Sequence, residues 1–144
     1  MSETLLLSRD LFVPRELVFE VWTEPEHLAQ WYSPGPEFER TAAVDLRVGG
    51  AYALSWQGAD AVTWTQSGNF EAIDAPAELI YSAELKMGDD PWLATRVTVR
   101  FADLDGGTRI TIGDAGYPDR ARQDVQMVGW QRALDQLEAY FSVI

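Results

Sequence analysis

From about Thr41 to Asp114 apolar and polar residues alternate along this chain, and from Pro118 the period changes to that of a helix. Tyr52, Leu54 and Trp56 alternate with Ala51, Ala53 and Ser55. Val62, Trp64, Gln66, Gly68 and Phe70 share one face of the next predicted strand, and Leu79, Tyr81, Ala83 and Leu85 one face of another. Val97, Val99 and Phe101 lie opposite Arg96, Thr98 and Arg100, and Ile110 and Ile112 close the set. Gly49-Gly50, Gly58-Ala59-Asp60, Ala75-Pro76 and Asp105-Gly106-Gly107 supply turns, while Lys86 to Pro91 reads as a polar loop. Such alternation predicts antiparallel strands that bury one face and solvate the other. After Pro118-Asp119, the residues Met127, Trp130, Leu134, Leu137 and Phe141 fall on one stripe of a long helix. One half-apolar sheet and one apolar-striped helix satisfy each other if the sheet curls around the helix.

The start of the chain adds a first strand, Leu5 to Phe12, and two short helices. Pro14 suits a first helical turn, and Leu17, Val18, Val21 and Trp22 recur at helical spacing. Thr23 with Glu26 has the pattern of a capping box for a second helix running to about Gln30. Trp31-Tyr32-Ser33-Pro34-Gly35-Pro36 must then be a loop. The expected order is strand, two short helices, about six strands and a long helix, in one domain spanning residues 1–144.

Composition excludes several functions. No cysteine is present and His27 is the single histidine, so thiolate metal sites are excluded and a zinc site would need carboxylates almost alone. The formal net charge of −12, with no basic cluster, argues against nucleic acid and against anionic membrane surfaces. No apolar run approaches the ~20 residues of a spanning helix. Met1-Ser2-Glu3-Thr4 has no secretory character, so the expected location is the cytoplasm. No Gly-rich phosphate loop, G-x-S-x-G elbow or H-E-x-x-H occurs. His27 lacks a partnered nucleophile and reads as a helix residue near Trp31.

Polar residues on apolar parities are the better candidates. Gln66 sits between Trp64 and Gly68, Asp114 follows Ile110 and Ile112, Tyr81 carries a hydroxyl inward, and Gln123 and Gln126 extend the helix stripe. A buried polar group without a partner costs about 1–3 kcal/mol, so each needs protein, water or a ligand. A carboxylate in an apolar pocket has its pKa raised, which would suit a general base, but no second carboxylate is placed beside Asp114. Asp45 and Arg47 read as an exposed ion pair on one side of a strand. Gly129 inside the helix implies a close approach to the sheet or a kink, and Val125 and Val128 lie off the stripe, toward the short helices or a homodimer surface. Two loops with large rings, Trp31 to Phe38 and Lys86 to Leu93, could gate a pocket.

Val13-Pro14-Arg15-Glu16-Leu17-Val18-Phe19, Glu24-Pro25-Glu26-His27-Leu28-Ala29-Gln30-Trp31, Asp45-Leu46-Arg47-Val48-Gly49-Gly50, Gly68-Asn69-Phe70-Glu71-Ala72-Ile73-Asp74, Ala77-Glu78-Leu79-Ile80-Tyr81 and Gly129-Trp130 with Leu134 and Leu137 together resemble the stand-alone bacterial proteins of the family named after the activator of Hsp90 ATPase. That family belongs to the START/Bet v 1-like (SRPBCC) superfamily. The resemblance covers nearly the whole chain and implies an α+β helix-grip fold: a curved antiparallel sheet of about six or seven strands around a long C-terminal helix. It also implies a cavity between sheet and helix that binds a small hydrophobic or amphipathic molecule, with no cofactor and no metal. Residues expected to line that cavity are Trp31, Trp56, Trp64, Gln66, Tyr81, Trp92, Val99, Asp114, Gln123, Gln126, Met127 and Trp130. Two alternatives stand beside binding: an enzyme of cyclase, dehydratase or hydrolase type using the same cavity, and a co-chaperone-like or other protein-interaction module. The chain reads as a single domain without the separate N-terminal domain of the eukaryotic activators, so an Hsp90-type chaperone is not the expected partner.

Overall fold

The computed structural model describes residues 4–144. Strand β1 (Thr4–Leu11) leads into helices α1 (Arg15–Thr23) and α2 (Pro25–Trp31). Six further strands follow: β2 (Glu39–Val44), β3 (Ala51–Gln57), β4 (Thr63–Asp74), β5 (Glu78–Met87), β6 (Asp90–Leu104) and β7 (Gly107–Ala115). Helix α3 (Arg120–Phe141) ends the chain. The strands form one seven-stranded antiparallel sheet in the order β1-β7-β6-β5-β4-β3-β2. Consecutive strands therefore pair as hairpins from β2 to β7, and β1 closes onto the far side of β7.

The period-two pattern positions the core as expected. Tyr52, Leu54, Trp56, Phe70, Leu79, Tyr81, Ala83, Leu85, Val97, Val99, Phe101, Ile110 and Ile112 are all buried on the face that meets the helices. From α3 they are met by Trp130, Ala133, Leu134 and Leu137, and from α1 by Val18, Phe19, Val21 and Trp22. Asp119 caps α3, its carboxylate accepting from the Arg122 N–H at 2.8 Å. The helix-grip architecture thus stands as the sequence implies.

Several local expectations change. The Thr23/Glu26 capping box is absent: Glu24 is the N-cap residue, without a side-chain cap bond, and Pro25 occupies the first turn of α2. Thr23 instead turns its hydroxyl back to the Phe19 carbonyl at 2.8 Å, and α1 ends at the extended backbone of Glu24 before Pro25. Trp31 belongs to α2 and not to the loop. Lys86 to Leu93 is no gating loop, because β5 and β6 continue into a tight hairpin whose turn places Gly88 at φ +60°. Within it Leu85 pairs with Leu93 and Lys86 with Pro91, so Trp92 is the extra residue of a β-bulge. The Asp45–Arg47 pair forms at 2.8 Å, but in the connection after β2 and not within a strand. Gly129 approaches neither the sheet nor a kink: a Cβ there would meet Pro34 Cβ at 3.7 Å, in the loop after α2. Val125 and Val128 are exposed.

Candidate functional site

Two cavities separate α3 and the short helices from the concave face of the sheet. The larger, about 50 Å³, has room for three or four waters. Its floor is Trp56, Gln66, Ala83, Leu85, Leu93 and Val97; Asp114 and Thr95 stand at one side; Trp130 and Ala133 form the roof. Its half-exposed lining residues include Pro34, Gln126 and Gly129, so the side toward solvent lies between the loop after α2 and the first half of α3. The smaller cavity, about 20 Å³, is almost wholly apolar and is bounded by Trp22, Leu28, Tyr52, Leu54, Phe70 and Tyr81 among others. Tyr32 lines both and forms the wall between them.

That wall is a hydroxyl cluster organised by one amide. The Gln66 side-chain nitrogen donates to the Tyr32 and Tyr52 hydroxyls, both at 3.2 Å. The Tyr52 hydroxyl donates to the Ser82 carbonyl at 2.7 Å, and the Tyr32 and Tyr81 hydroxyls lie 3.5 Å apart. Burial drives the pKa of all three tyrosines upward, which keeps them neutral. Gln66 is only 6% exposed, and its amide hydrogens are both used inside the protein.

Asp114 differs. Its side is only 1% exposed, yet it carries a carboxyl group. One oxygen, Oδ2, accepts from the Tyr117 hydroxyl at 2.5 Å and from the Trp130 indole N–H at 3.1 Å. The other, Oδ1, is buried without a hydrogen-bond partner. Burial raises the pKa of Asp114, and the hydroxyls and indole of Tyr117, Thr95 and Trp130 oppose that rise. Tyr117 reaches the carboxylate because Gly116, at φ +110°, turns the chain back immediately after β7.

The rim is held by two side chains. Arg40 on β2 donates to the carbonyls of Ala29, Gln30 and Gly35 and to Ser33 Oγ, at 2.8–3.2 Å. From α3, the Gln136 amide nitrogen donates to the carbonyls of Trp31 and Ser33, both at 2.8 Å. The loop after α2 is thus tied to the sheet edge and to α3, which keeps Tyr32 and Pro34 in place as cavity walls.

Of the residues expected at a cavity, Trp56, Gln66, Asp114, Gln126 and Trp130 line the larger one and Tyr81 the smaller. The other six line neither. Trp31 is packed edge-on against Trp22 and donates its N–H to the Val21 carbonyl at 3.2 Å, so it cements α2 to α1. Val99 lies in the core between Leu79 and Ile112. Trp64 and Trp92 pack against each other with centroids 5.4 Å apart, and the Arg122 guanidinium covers Trp92 at 5.6 Å. The bulge re-aims Trp92 toward that cluster, which seals the β4–β6 end of the sheet. Gln123 is half-buried near the start of α3, and Met127 packs on the core from its edge. Tyr32, Thr95 and Tyr117 are not among the expected lining residues; Tyr32 lies in the loop expected to gate a pocket, Thr95 shares the inward parity of Val97 and Val99, and Tyr117 has no such signal. His27 hydrogen-bonds the Tyr140 hydroxyl at 2.6 Å, joining α2 to the end of α3 away from both cavities.

A family model described as activator of Hsp90 ATPase homolog 1-like protein matches residues 13–142. Among solved structures, the chain is similar to a protein of Chromobacterium violaceum, 29% identical, with a TM-score of 0.82 over 94% of this chain and 95% of that one. It is also similar to a protein of Rhizobium leguminosarum, 27% identical, with a TM-score of 0.86 over 99% and 95% of the two chains. A protein of Nitrosomonas europaea, 27% identical, gives a TM-score of 0.80 over 94% and 92%. The comparison with curated proteins gave no match. Among the described residues no helix is long and apolar enough to cross a membrane, and no group of His, Asp or Glu side chains could hold a metal ion.

Proposed function

The chain belongs to the activator of Hsp90 ATPase homolog 1-like family, and from that premise we propose that it binds a small, largely apolar molecule in the larger cavity between the sheet and α3. The observation that carries this reading is the contrast within the cavity wall. Trp56, Leu85, Leu93, Val97, Trp130 and Ala133 offer apolar surface, while the buried Asp114 carboxyl stands among them with one oxygen unpartnered. Apolar walls with a few placed polar groups are the common form of a small-molecule site. Size sets a limit: a cavity of about 50 Å³ takes a ligand of a few heavy atoms, or a larger one that displaces the Pro34 loop.

Native mass spectrometry of gently purified protein, followed by organic extraction, tests the reading. A stoichiometric added mass that is lost on denaturation is the expected result. An apo mass that stays unchanged after exposure to a library of small apolar compounds would overturn it.

A further inference from the structure

The two donors that hold Asp114 both bind the same oxygen, and every group that faces the carboxyl from the elements around it is neutral: Tyr117 from the turn after β7, Thr95 from β6 and Trp130 from α3. The Tyr117 hydroxyl lies 2.5 Å from the carboxyl, and burial favours the neutral acid unless a cation stands beside it. A buried carboxylate held only by neutral donors lacks a counter-charge. The cavity it borders supplies ring surface from Tyr32, Trp56 and Trp130, which favours a cation over an anion. The net charge of −12 draws cations toward the molecule as a whole.

Resting on the binding reading above, we infer that the ligand of the larger cavity is a small primary amine, whose ammonium group donates to Asp114 Oδ1 while its apolar body lies against Trp56, Leu93 and Val97. In the unliganded packing Oδ1 is buried without a hydrogen bond of good geometry, although the Thr95 hydroxyl favours the charged carboxyl from beside it. Thr95, half-exposed, stands beside the carboxyl on the cavity wall. Gln126, at the solvent side, offers a second acceptor on the path inward.

The test is a ¹H–¹⁵N NMR titration of the whole protein with isobutylamine, isobutanol and isobutyrate, three probes that share one branched apolar skeleton. It follows the Trp130 indole N–H, which donates to Asp114 and is identified by its loss in Trp130→Phe. Isobutylamine is expected to bind at least about tenfold more tightly than isobutanol, with isobutyrate weakest. The isosteric Asp114→Asn should erase the preference for the amine while leaving alcohol binding in place. Equal binding of amine and alcohol in the native protein, or a preference that survives in Asp114→Asn, overturns the amine assignment and leaves the apolar-cavity reading standing. No response to any of the three probes overturns both.

Discussion

Gly68 offers the sharpest test of how this sheet is built. It stands opposite Tyr52 in the β3–β4 ladder, and the Tyr52 hydroxyl reaches past it to the Ser82 carbonyl on β5. A Cβ at position 68 would lie 1.9 Å from that same carbonyl oxygen and 2.8 Å from Ser82 Oγ. The carbonyl belongs to the backbone of a paired strand and cannot swing away as the Ser82 hydroxyl can. In Gly68→Ala, β4 and β5 must part locally. The separation breaks the Tyr52–Ser82 bond and the bond from the Asn69 N–H to Ser82 Oγ. Overpacking of this kind costs about 2 kcal/mol, and each lost hydrogen bond about 1 kcal/mol. Relief of glycine's backbone entropy returns up to about 1 kcal/mol. The net expectation is a loss of about 3 kcal/mol, or a fall in Tm of about 6–12 °C for a chain of this size. Urea and thermal denaturation read it directly. Gly129→Ala is the matched control, because its new Cβ finds ordinary contact at 3.7 Å and the helix should gain up to about 1 kcal/mol. If Gly68→Ala unfolds within 0.5 kcal/mol of the native protein, the ladder around Ser82 is not as rigid as this reasoning requires.

Three further outcomes follow from the site. Because burial raises the pKa of Asp114 in the folded state, the native protein binds this proton more readily than the unfolded chain. Its contribution to stability therefore falls as pH rises from the ordinary carboxyl range through the folded pKa, then levels off. Asp114→Asn should gain stability relative to the native protein over that same window, read by urea titrations at pH values from 3 to 8; a pH-independent difference would refute it. Gln66→Leu withdraws the donor shared by Tyr32 and Tyr52 and should cost about 2 kcal/mol, with faster hydrogen exchange in β4 as the local sign. Arg40→Lys cannot reproduce a planar fork that serves four acceptors; amide exchange should quicken at Ser33 and Gly35 while the core strands keep their protection.

The strands were legible because each buries a single face, so Tyr52, Leu54 and Trp56 or Val97, Val99 and Phe101 announce themselves by parity. Gln66 and Asp114 were legible for the same reason, as polar residues where the pattern calls for apolar ones. What parity cannot carry is a change of phase. The bulge at Trp92 shifts the register by one residue and sends that ring toward Trp64 and Arg122. Residues outside any period were equally hidden. No pattern in the sequence marks Arg40, and only the folded chain brings the carbonyls of Ala29, Gln30 and Gly35 around it. Tyr117 depends on the reversal at Gly116, which has no periodic signature. Thr23 shows that a capping motif competes with other bonds: once Pro25 starts the helix, its hydroxyl is better placed on the turn it leaves.

Tyr32 divides the space beneath α3 into two compartments. The ring hangs from a loop and not from the sheet, so the interior volume can be re-partitioned without moving a strand. Truncating or rotating this one side chain would merge the chambers into a single elongated hold. The length of the interior space is then set by one ring on a tethered loop, independently of the strands that frame it.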